Sequence, residues 1–260
     1  MTQWIAPDNL QLTALRSLPW LKPGSDIIEC LQRCIADEFG QLQNGDIIVI
    51  AQKIISLSEG RVVLLDSVTP SAQAIKLAQE TQKDPRLVEI ILHESKRVIR
   101  VGPSIIIVEN HAGMVLANAG VDQSNVPSTD GAPVALLLPE DPDRSCKRIR
   151  EALESHFQIQ LGIIITDSIG RAWRNGIIGH AIGVSGITAL ADFRGNVDHY
   201  NRTLLVSTEA VADELASAAT LLMGQGSEGK PVVIVRGISL RDDSSKAGDL
   251  IRPKDTDLFL

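Results

Sequence analysis

Short uninterrupted apolar runs alternate along this chain with longer stretches in which apolar residues return at helical spacing. Gly45-Asp46 opens Ile47-Ile48-Val49-Ile50-Ala51, a run rich in β-branched residues with no polar alternation, which predicts a strand buried on both faces. Ile105-Ile106-Ile107-Val108, Val134-Ala135-Leu136-Leu137-Leu138, Leu161-Gly162-Ile163-Ile164-Ile165-Thr166 and residues 231–235 read the same way. Asn110-His111-Ala112-Gly113 reads as a turn into a further short strand, Met114-Val115-Leu116. Helical spacing recurs over residues 27–39, behind a Ser25-Asp26 cap, and over 71–82, 85–99, 143–156 and 211–223, the last stopped by Gly224.

Strands and helices follow one another irregularly, with no repeat and no flexible linker, so the expected class is α+β with mixed sheets and packed helices. Residues 1–260 read as a single catalytic unit, or as two intimately packed subdomains whose boundary is not readable. Residues 18–24 form a proline- and glycine-punctuated loop, 126–133 a polar turn-rich segment and 170–186 a glycine-punctuated stretch assigned to no element. The tail over 241–257 is charged, with Leu258-Phe259 as a docking pair.

Composition narrows the picture. Aromatics are only 3% against 44% hydrophobic residues, so Ile, Val, Leu and Ala must fill the core. A net charge of -7 argues against nucleic-acid binding, which needs a basic face to neutralise phosphates. Cys30, Cys34 and Cys146 are odd in number and lack a Cys-x-x-Cys pair, which points away from a disulfide framework or zinc site. Cys30 and Cys34 share a helix face as small core residues. No apolar run approaches the ~20 residues that cross a bilayer, and no basic-then-apolar leader opens the chain, so a cytoplasmic protein without a membrane partner is expected.

Three constellations carry chemistry. Asn118-Ala119-Gly120-Val121-Asp122-Gln123-Ser124-Asn125 displays short oxygen-bearing side chains on a turn, the ligand type that magnesium or manganese prefers; an ordinary turn bonding its own backbone is the alternative. Ile163-Ile164-Ile165-Thr166-Asp167-Ser168-Ile169-Gly170-Arg171-Ala172-Trp173-Arg174 delivers a carboxylate and a hydroxyl at the end of an apolar strand, then Arg171 and Arg174 at a spacing of three. That combination suits phosphoryl transfer, in which positioning and charge neutralisation dominate; a capped helix start with solvated arginines competes with it. Met223-Gly224-Gln225-Gly226-Ser227-Glu228-Gly229-Lys230 places three glycines where backbone N–H groups can approach an anion, or merely connects two elements. It lacks the Gly-x-x-x-x-Gly-Lys-Ser/Thr order of the standard phosphate loop.

Weaker candidates are His111 and His180, read as structural, and Ser168 as a nucleophile, which lacks both an adjacent base and a Gly-x-Ser-x-Gly setting. Lys147, Arg148 and Arg150 read as a solvated helix face.

Taken together, nearly the whole chain resembles the coenzyme F420-0:L-glutamate ligase (F420 γ-glutamyl ligase) family. The resemblance is carried by Leu18-Pro19, Ala51-Gln52-Lys53-Ile54-Ile55-Ser56, Glu59-Gly60-Arg61, Lys83-Asp84-Pro85-Arg86-Leu87-Val88-Glu89, Asn118-Ala119-Gly120-Val121-Asp122 and Ser124-Asn125-Val126. It continues through Leu136-Leu137-Leu138-Pro139-Glu140-Asp141-Pro142-Asp143, Ile165-Thr166-Asp167-Ser168, Gly170-Arg171, Val211-Ala212-Asp213-Glu214-Leu215 and Leu222-Met223-Gly224-Gln225.

The resemblance implies an α+β homodimer without the flavin-reductase-like extension of some bacterial members. It implies a GTP-dependent addition of L-glutamate to a deazaflavin coenzyme F420 precursor through an acyl phosphate. Magnesium or manganese would serve as divalent metal, with potassium as a candidate monovalent ion. By the same resemblance Asp122 and Asp167 bind one divalent metal, with Ser168 and Gln225 at a second. Leu18, Pro19, Trp20, Leu21, Asn125 and the segment Met223, Gly224, Gln225, Gly226, Ser227, Glu228, Gly229, Lys230 line the nucleotide site, with Gln52 and Lys53 beside them. Arg171 and Arg174 are candidates for the coenzyme phosphate or the transferring phosphoryl group.

Two departures stand out. Many members carry lysine where this chain has Leu57, so either a basic contact to the nucleotide is missing or Lys53 supplies it. Some members have Glu where this chain has Gln225. Readings of another class are a non-catalytic nucleotide- or deazaflavin-binding relative, a ligase with a different acceptor, and a metal phosphohydrolase on the same carboxylates.

Overall fold

The computed structural model describes residues 6–128, 131–238 and 241–258. From the N-terminus they form β1 (Gln11–Ala14), α1 (Ile27–Cys34, continued by a π-helical turn over Ile35–Phe39), β2 (Ile47–Ala51), α2 (Gln52–Ser58) and β3 (Val62–Leu64). Next come α3 (Ala72–Thr81), α4 (Pro85–His93), β4 (Ser95–Gly102), β5 (Ile105–Asn110), β6 (Val115–Ala117) and β7 (Val134–Leu136). The chain closes with α5 (Pro142–Phe157), β8 (Gly162–Arg171), β9 (Arg174–Ser185), β10 (Ala191–Asp192), β11 (Thr208–Glu209), α6 (Val211–Met223) and β12 (Val232–Arg236).

The architecture is α+β, centred on a five-stranded mixed sheet in the order β1-β12-β2-β8-β9. Strand periodicity divides its residues between two cores. Ile48, Ile50, Ile163, Ile165, Val232 and Ile234 face a core shared with α1, α2 and α5. Ile47, Val49, Ile164, Val233 and Val235 face a second core closed by α6. Burial on both sides is why these strands read as unbroken apolar runs. A three-stranded sheet, β4-β5-β6, carries α3 and α4 on one face, and β3 pairs with β7.

Helix starts are capped by side chains, α1 at the expected Asp26. The Asp26 carboxylate accepts from the Ile28 and Glu29 N–H groups at 2.9 and 3.2 Å. Ser71 caps α3, and Asp84 caps α4 with Pro85 at its first position. The expected helix over 85–99 is corrected: α4 ends at His93, and Ser95–Gly102 is a strand paired antiparallel with β5. Register shifts between Ser95 and Arg97 and between Val98 and Arg100 break the two-residue period, so that Val98 and Val101 recur at three, a helix-like interval.

The second correction concerns residues 167–186. β8 runs on through Asp167 and Ser168 to Arg171, and the glycine-punctuated stretch is its antiparallel partner β9, not a helix start. Gly179 and Gly183 interrupt the strand pattern because helices press on β9 there. A Cβ built on Gly179 would lie 2.6 Å from the Ala216 carbonyl oxygen of α6, and one on Gly183 2.6 Å from the Pro142 backbone of α5. Arg150 is also corrected: Lys147 and Arg148 are exposed as expected, but Arg150 is buried, with Nε on Ser185 at 3.0 Å and Nη1 on Asp243 at 2.8 Å. Leu258 is exposed rather than docked, and Phe259 lies outside the described residues.

A further buried pair locks the sheet's other end. Asp46 is 1% exposed and takes a two-point contact from Arg236, at 2.8 and 2.6 Å, which ties β12 to the turn that launches β2. Cys30, Cys34 and Cys146 are free thiols in or against the first core. Among the described residues no helix is long and apolar enough to cross a membrane.

Gly183→Ala is expected to lower stability by about 1–3 kcal/mol, since the new methyl meets backbone that cannot give way. Gly170→Ala, where nothing lies within 4 Å of the added carbon, should shift it by less than about 0.5 kcal/mol. Calorimetric midpoints of the two variants check this; equal midpoints would show that α5 does not press on β9.

Candidate active site

β2 and β8 run parallel in the register Ile47↔Gly162 to Ala51↔Thr166, so both strands leave the sheet at the same end. Gln52 and Lys53 follow Ala51 directly, and Asp167 and Ser168 follow Thr166. β12 enters at that end too: the Ala51 N–H donates to the Pro231 carbonyl at 2.8 Å, which brings in the loop after α6. Residues distant in sequence thus gather at the carboxyl ends of two parallel strands, the usual position of a ligand site in such sheets.

Asp122 arrives from the smaller sheet. Asn118, Ala119 and Gly120 all adopt positive φ, and the Asn118 side chain accepts from the Ile106 N–H at 3.1 Å. A Cβ on Gly120 would sit 2.6 Å from Leu138, so glycine lets this turn pack closely. Asp122 then exchanges both backbone hydrogen bonds with Leu136, at 3.0 and 2.8 Å, which fixes where its carboxylate points.

That carboxylate accepts from the Lys53 ammonium at 2.6 Å, the Ser124 N–H at 2.8 Å and the Ser124 hydroxyl at 3.1 Å. Lys53 also donates to the Ser124 carbonyl at 2.9 Å. Burial pushes the Asp122 carboxyl up, but Lys53 and Ser124 more than offset it and hold it below the ordinary value. Asp167 goes the other way: burial raises it, and the Asp122 charge adds to that against the opposing Ser168 N–H and His180. The two carboxylates are therefore close enough to feel one another, and only Asp122 has a cation in contact.

Ser168 donates its hydroxyl proton to the Gln225 side-chain oxygen at 2.9 Å, and its N–H to Asp167 at 2.8 Å. Asn125 donates to the Gly226 carbonyl at 3.3 Å. Gly224 ends α6 at φ +77°, and Glu228 folds back beneath it to accept from the Gly226 N–H at 2.8 Å. Gln225, Gly226, Ser227, Glu228 and Gly229 are exposed, Lys230 is half-buried, and Met223 belongs to the second core.

The remaining expected residues occupy varied positions. Pro19 and Trp20 are exposed, Trp20 at 88%, while Leu18 and Leu21 pack on the first core. Gln52 is buried, its side-chain oxygen accepting from the Ser56 hydroxyl at 2.9 Å. Leu57 is buried in the same core, and its carbonyl anchors the Gly24 N–H at 2.9 Å. Arg171 and Arg174 face each other across the exposed tip of the β8–β9 hairpin, with Trp173 between them at 89% exposure. That tip is four residues along β8 from Asp167, about 13 Å. His111 is exposed, with Nε2 2.8 Å from the His93 carbonyl.

Sequence reasoning set His180 aside and passed over Asp213. His180 stands opposite Asp167 in the strand pair, with Nδ1 3.1 Å from the Asp167 carbonyl and Nε2 excluded from solvent without a partner. Asp213 accepts from the Ala181 N–H at 2.8 Å. An acidic residue in a helix's first turn reads as dipole complementarity, so only the tertiary contact distinguishes it.

Among the described residues no group of three or more His, Cys, Asp or Glu side chains is placed to hold a metal ion. The oxygens assembled here are two carboxylates, a hydroxyl and an amide, a hard donor set of the kind magnesium and manganese take. The Asp122 charge bearing on Asp167 is what a bound cation would relieve.

The sequence profile of the F420-0:Gamma-glutamyl ligase family matches residues 16–237. The chain is similar to the coenzyme F420:L-glutamate ligase of Methanopyrus kandleri, 44% identical over 92% of this chain and 93% of that protein. That of Methanocaldococcus jannaschii is 46% identical over 84% and 86%, and that of Methanothermobacter thermautotrophicus 42% identical over 96% and 99%.

Lys53→Met should raise the Asp122 carboxyl, because the ammonium's hydrogen bond and charge no longer offset burial and only the Ser124 contacts remain to hold it down. Carbon-detected NMR titration of the Asp122 side chain in both proteins reads the change; an unchanged midpoint would mean that Lys53 does not control this carboxylate.

Proposed function

The chain belongs to the F420-0:gamma-glutamyl ligase family, and from that premise we propose that it joins L-glutamate to a deazaflavin coenzyme F420 precursor at the expense of GTP. The observation that carries this reading is the meeting of Asp122, Asp167, Ser168 and Gln225 with an exposed glycine-rich loop at one end of the sheet. In the proposed course a carboxylate oxygen of the acceptor attacks the terminal phosphorus of GTP, the bond to the β-phosphate oxygen breaks, and GDP leaves. The glutamate amine then attacks the resulting acyl phosphate, phosphate leaves with the bonding pair, and the amine proton passes to solvent. A carboxylate is a poor acyl donor until one oxygen becomes such a leaving group.

Each group has a task in this course. Gln225, Ser227 and Gly229 offer backbone N–H groups to the nucleotide, with Glu228 bracing the loop through the Gly226 N–H and Asn125 through the Gly226 carbonyl. Lys53 is the basic group nearest the carboxylates, in keeping with Leu57 being packed away in the core. Asp122 and Asp167 would hold a magnesium or manganese ion, and Ser168 with Gln225 a second. Such ions supply charge neutralisation at the phosphates. Arg171 and Arg174 reach for the coenzyme phosphate from the hairpin tip, since guanidinium groups pair bidentately with phosphate. The assembly we infer is a homodimer, in keeping with the exposed apolar residues Val197, Tyr200, Leu205 and Val206 on the segment between β10 and β11.

Mass spectrometry of the coenzyme precursor after incubation with the protein, GTP, Mn²⁺ and glutamate tests the reading. The product should be heavier by one or more glutamyl units and absent when GTP or metal is omitted. Binding without any mass change would favour a non-catalytic relative, and phosphate release without glutamate a phosphohydrolase. Asp167→Asn should cut turnover by at least about 100-fold while leaving the circular dichroism spectrum unchanged. Near-normal turnover in that variant would overturn the metal assignment.

A further inference from the structure

The β8–β9 hairpin ends in a feature that works against its own stability. Arg171 pairs with Arg174, so Ala172 and Trp173 alone make the turn. Trp173 adopts φ +64°, a left-handed conformation in which a side chain crowds the backbone and which glycine usually supplies. The indole is 89% exposed, and among the described residues no ring or guanidinium stacks on it. Strain and exposure both count against folding here, and no contact within the described residues offsets them. Such positions mark sites where a ligand supplies the missing contact.

Its neighbours are equally unsatisfied. Arg171 Nε is buried without a hydrogen-bond partner, and Nη2 of the same guanidinium reaches only the Asn175 carbonyl, at 3.5 Å. Neither Arg171 nor Arg174 makes an ion pair among the described residues. The register passes from Arg171↔Arg174 to Gly170↔Ile177, so Asn175 and Gly176, the latter at φ +89°, form a bulge that re-aims the tip. Strand alternation puts Arg171, and with it Arg174, on the face of the hairpin that carries Asp167. From Asp167 to the tip the order is therefore carboxylate, two guanidinium groups, indole, with about 13 Å between Asp167 and Arg171.

Resting on the ligase reading, we propose that the Trp173 indole is the platform for the deazaflavin ring of the coenzyme precursor, with Arg171 and Arg174 on its phosphate. The precursor presents its groups in the same order: the acceptor carboxylate at one end, the phosphate next, and the flat ring at the far end. With the carboxylate at the Asp122 and Asp167 end, the phosphate falls toward the arginines and the ring beyond them. A planar aromatic ring suits an exposed indole, because stacking removes apolar faces of both from water and needs no hydrogen-bond partner. The guanine of GTP is the poorer match. The glycine-rich loop meets Ser168 through Gln225, and Ser168 alternates with Asp167 onto the other face of β8.

Calorimetric titration of the full chain with Mg²⁺ compares the coenzyme precursor with phospholactate, which keeps the carboxylate and phosphate and lacks the ring. Trp173→Ala should weaken the precursor at least about fivefold, the loss of one aromatic stack, and leave phospholactate and GTP within about twofold of wild type. Arg171→Met should weaken precursor and phospholactate alike, because both carry the phosphate. Ile177→Ala, at an exposed position that pairs with Gly170 on the other face of the hairpin, should change none of these affinities. Trp173→Gly suits φ +64° and should hold or raise the thermal midpoint while losing the precursor to the same degree. Unchanged precursor affinity in both Trp173 variants, a loss of GTP binding instead, or dissociation of a dimer in sedimentation velocity overturns the assignment. The binding readout needs no turnover: a chain whose precursor affinity depends on Trp173 yet makes no product sinks the ligase reading and leaves the platform standing. A chain that makes product with a precursor KM indifferent to Trp173→Ala does the reverse.

Discussion

The parallel pairing of β2 with β8 is the constraint on which this molecule depends. Its register sets Ala51 beside Thr166 and sends Lys53, Asp167 and Ser168 out of one end of a sheet that is buried on both faces. Parallel strands need a long crossover, and here the segment between them carries α2 to α5, the smaller sheet and Asp122. Because a one-residue slip would exchange the two faces of β8, Ile163 and Ile165 against one core and Ile164 against the other hold the register, and with it the direction of Asp167.

A second feature is an electrostatic conflict that the fold maintains. Two carboxylates from different sheets face the same space, and Lys53, in contact with Asp122, offsets Asp167 only from a distance. Removing like charges from water and placing them near each other lowers stability, so the core must offset it. Such conflicts belong to sites that bind cations or phosphates, where the ligand completes the charge balance. The rigid supports around them fit this: the reciprocal pair of hydrogen bonds between the Asp122 and Leu136 backbones, the Asn118 contact to Ile106, and the Ser168 link to Gln225.

The edge of β9 shows how one solution serves two purposes. Asp143 and Asp213 blunt an edge that would otherwise present open N–H groups to another chain, and the same bonds hold α5 and α6 against β9. Gly179 and Gly183 let α6 and α5 come close enough for those carboxylates to reach the strand. Backbone protection and helix docking are thus set by the same few residues.

Much of this was legible in the sequence. Helix 211–223 and strand 47–51 have their expected bounds because Gly224 stops the one and an unbroken β-branched run defines the other. Asp122, Ser124, Asn125, Asp167 and Ser168 could be singled out as short oxygen-bearing residues following apolar runs, and Gln225 by the family resemblance. What the sequence could not determine is anything that depended on approach from a distant element. β9 was hidden because its glycines answer to helix contacts rather than to strand propensity, and β4 because bulges disturbed its period. Arg150 passed for a surface residue since its partners, Ser185 and Asp243, lie on other elements. Asp213 was passed over for the same reason, since its contact is to the Ala181 N–H of another element. Local pattern fixes which residues are buried strand, cap or turn; the register and closure of the sheet alone decide which of them meet.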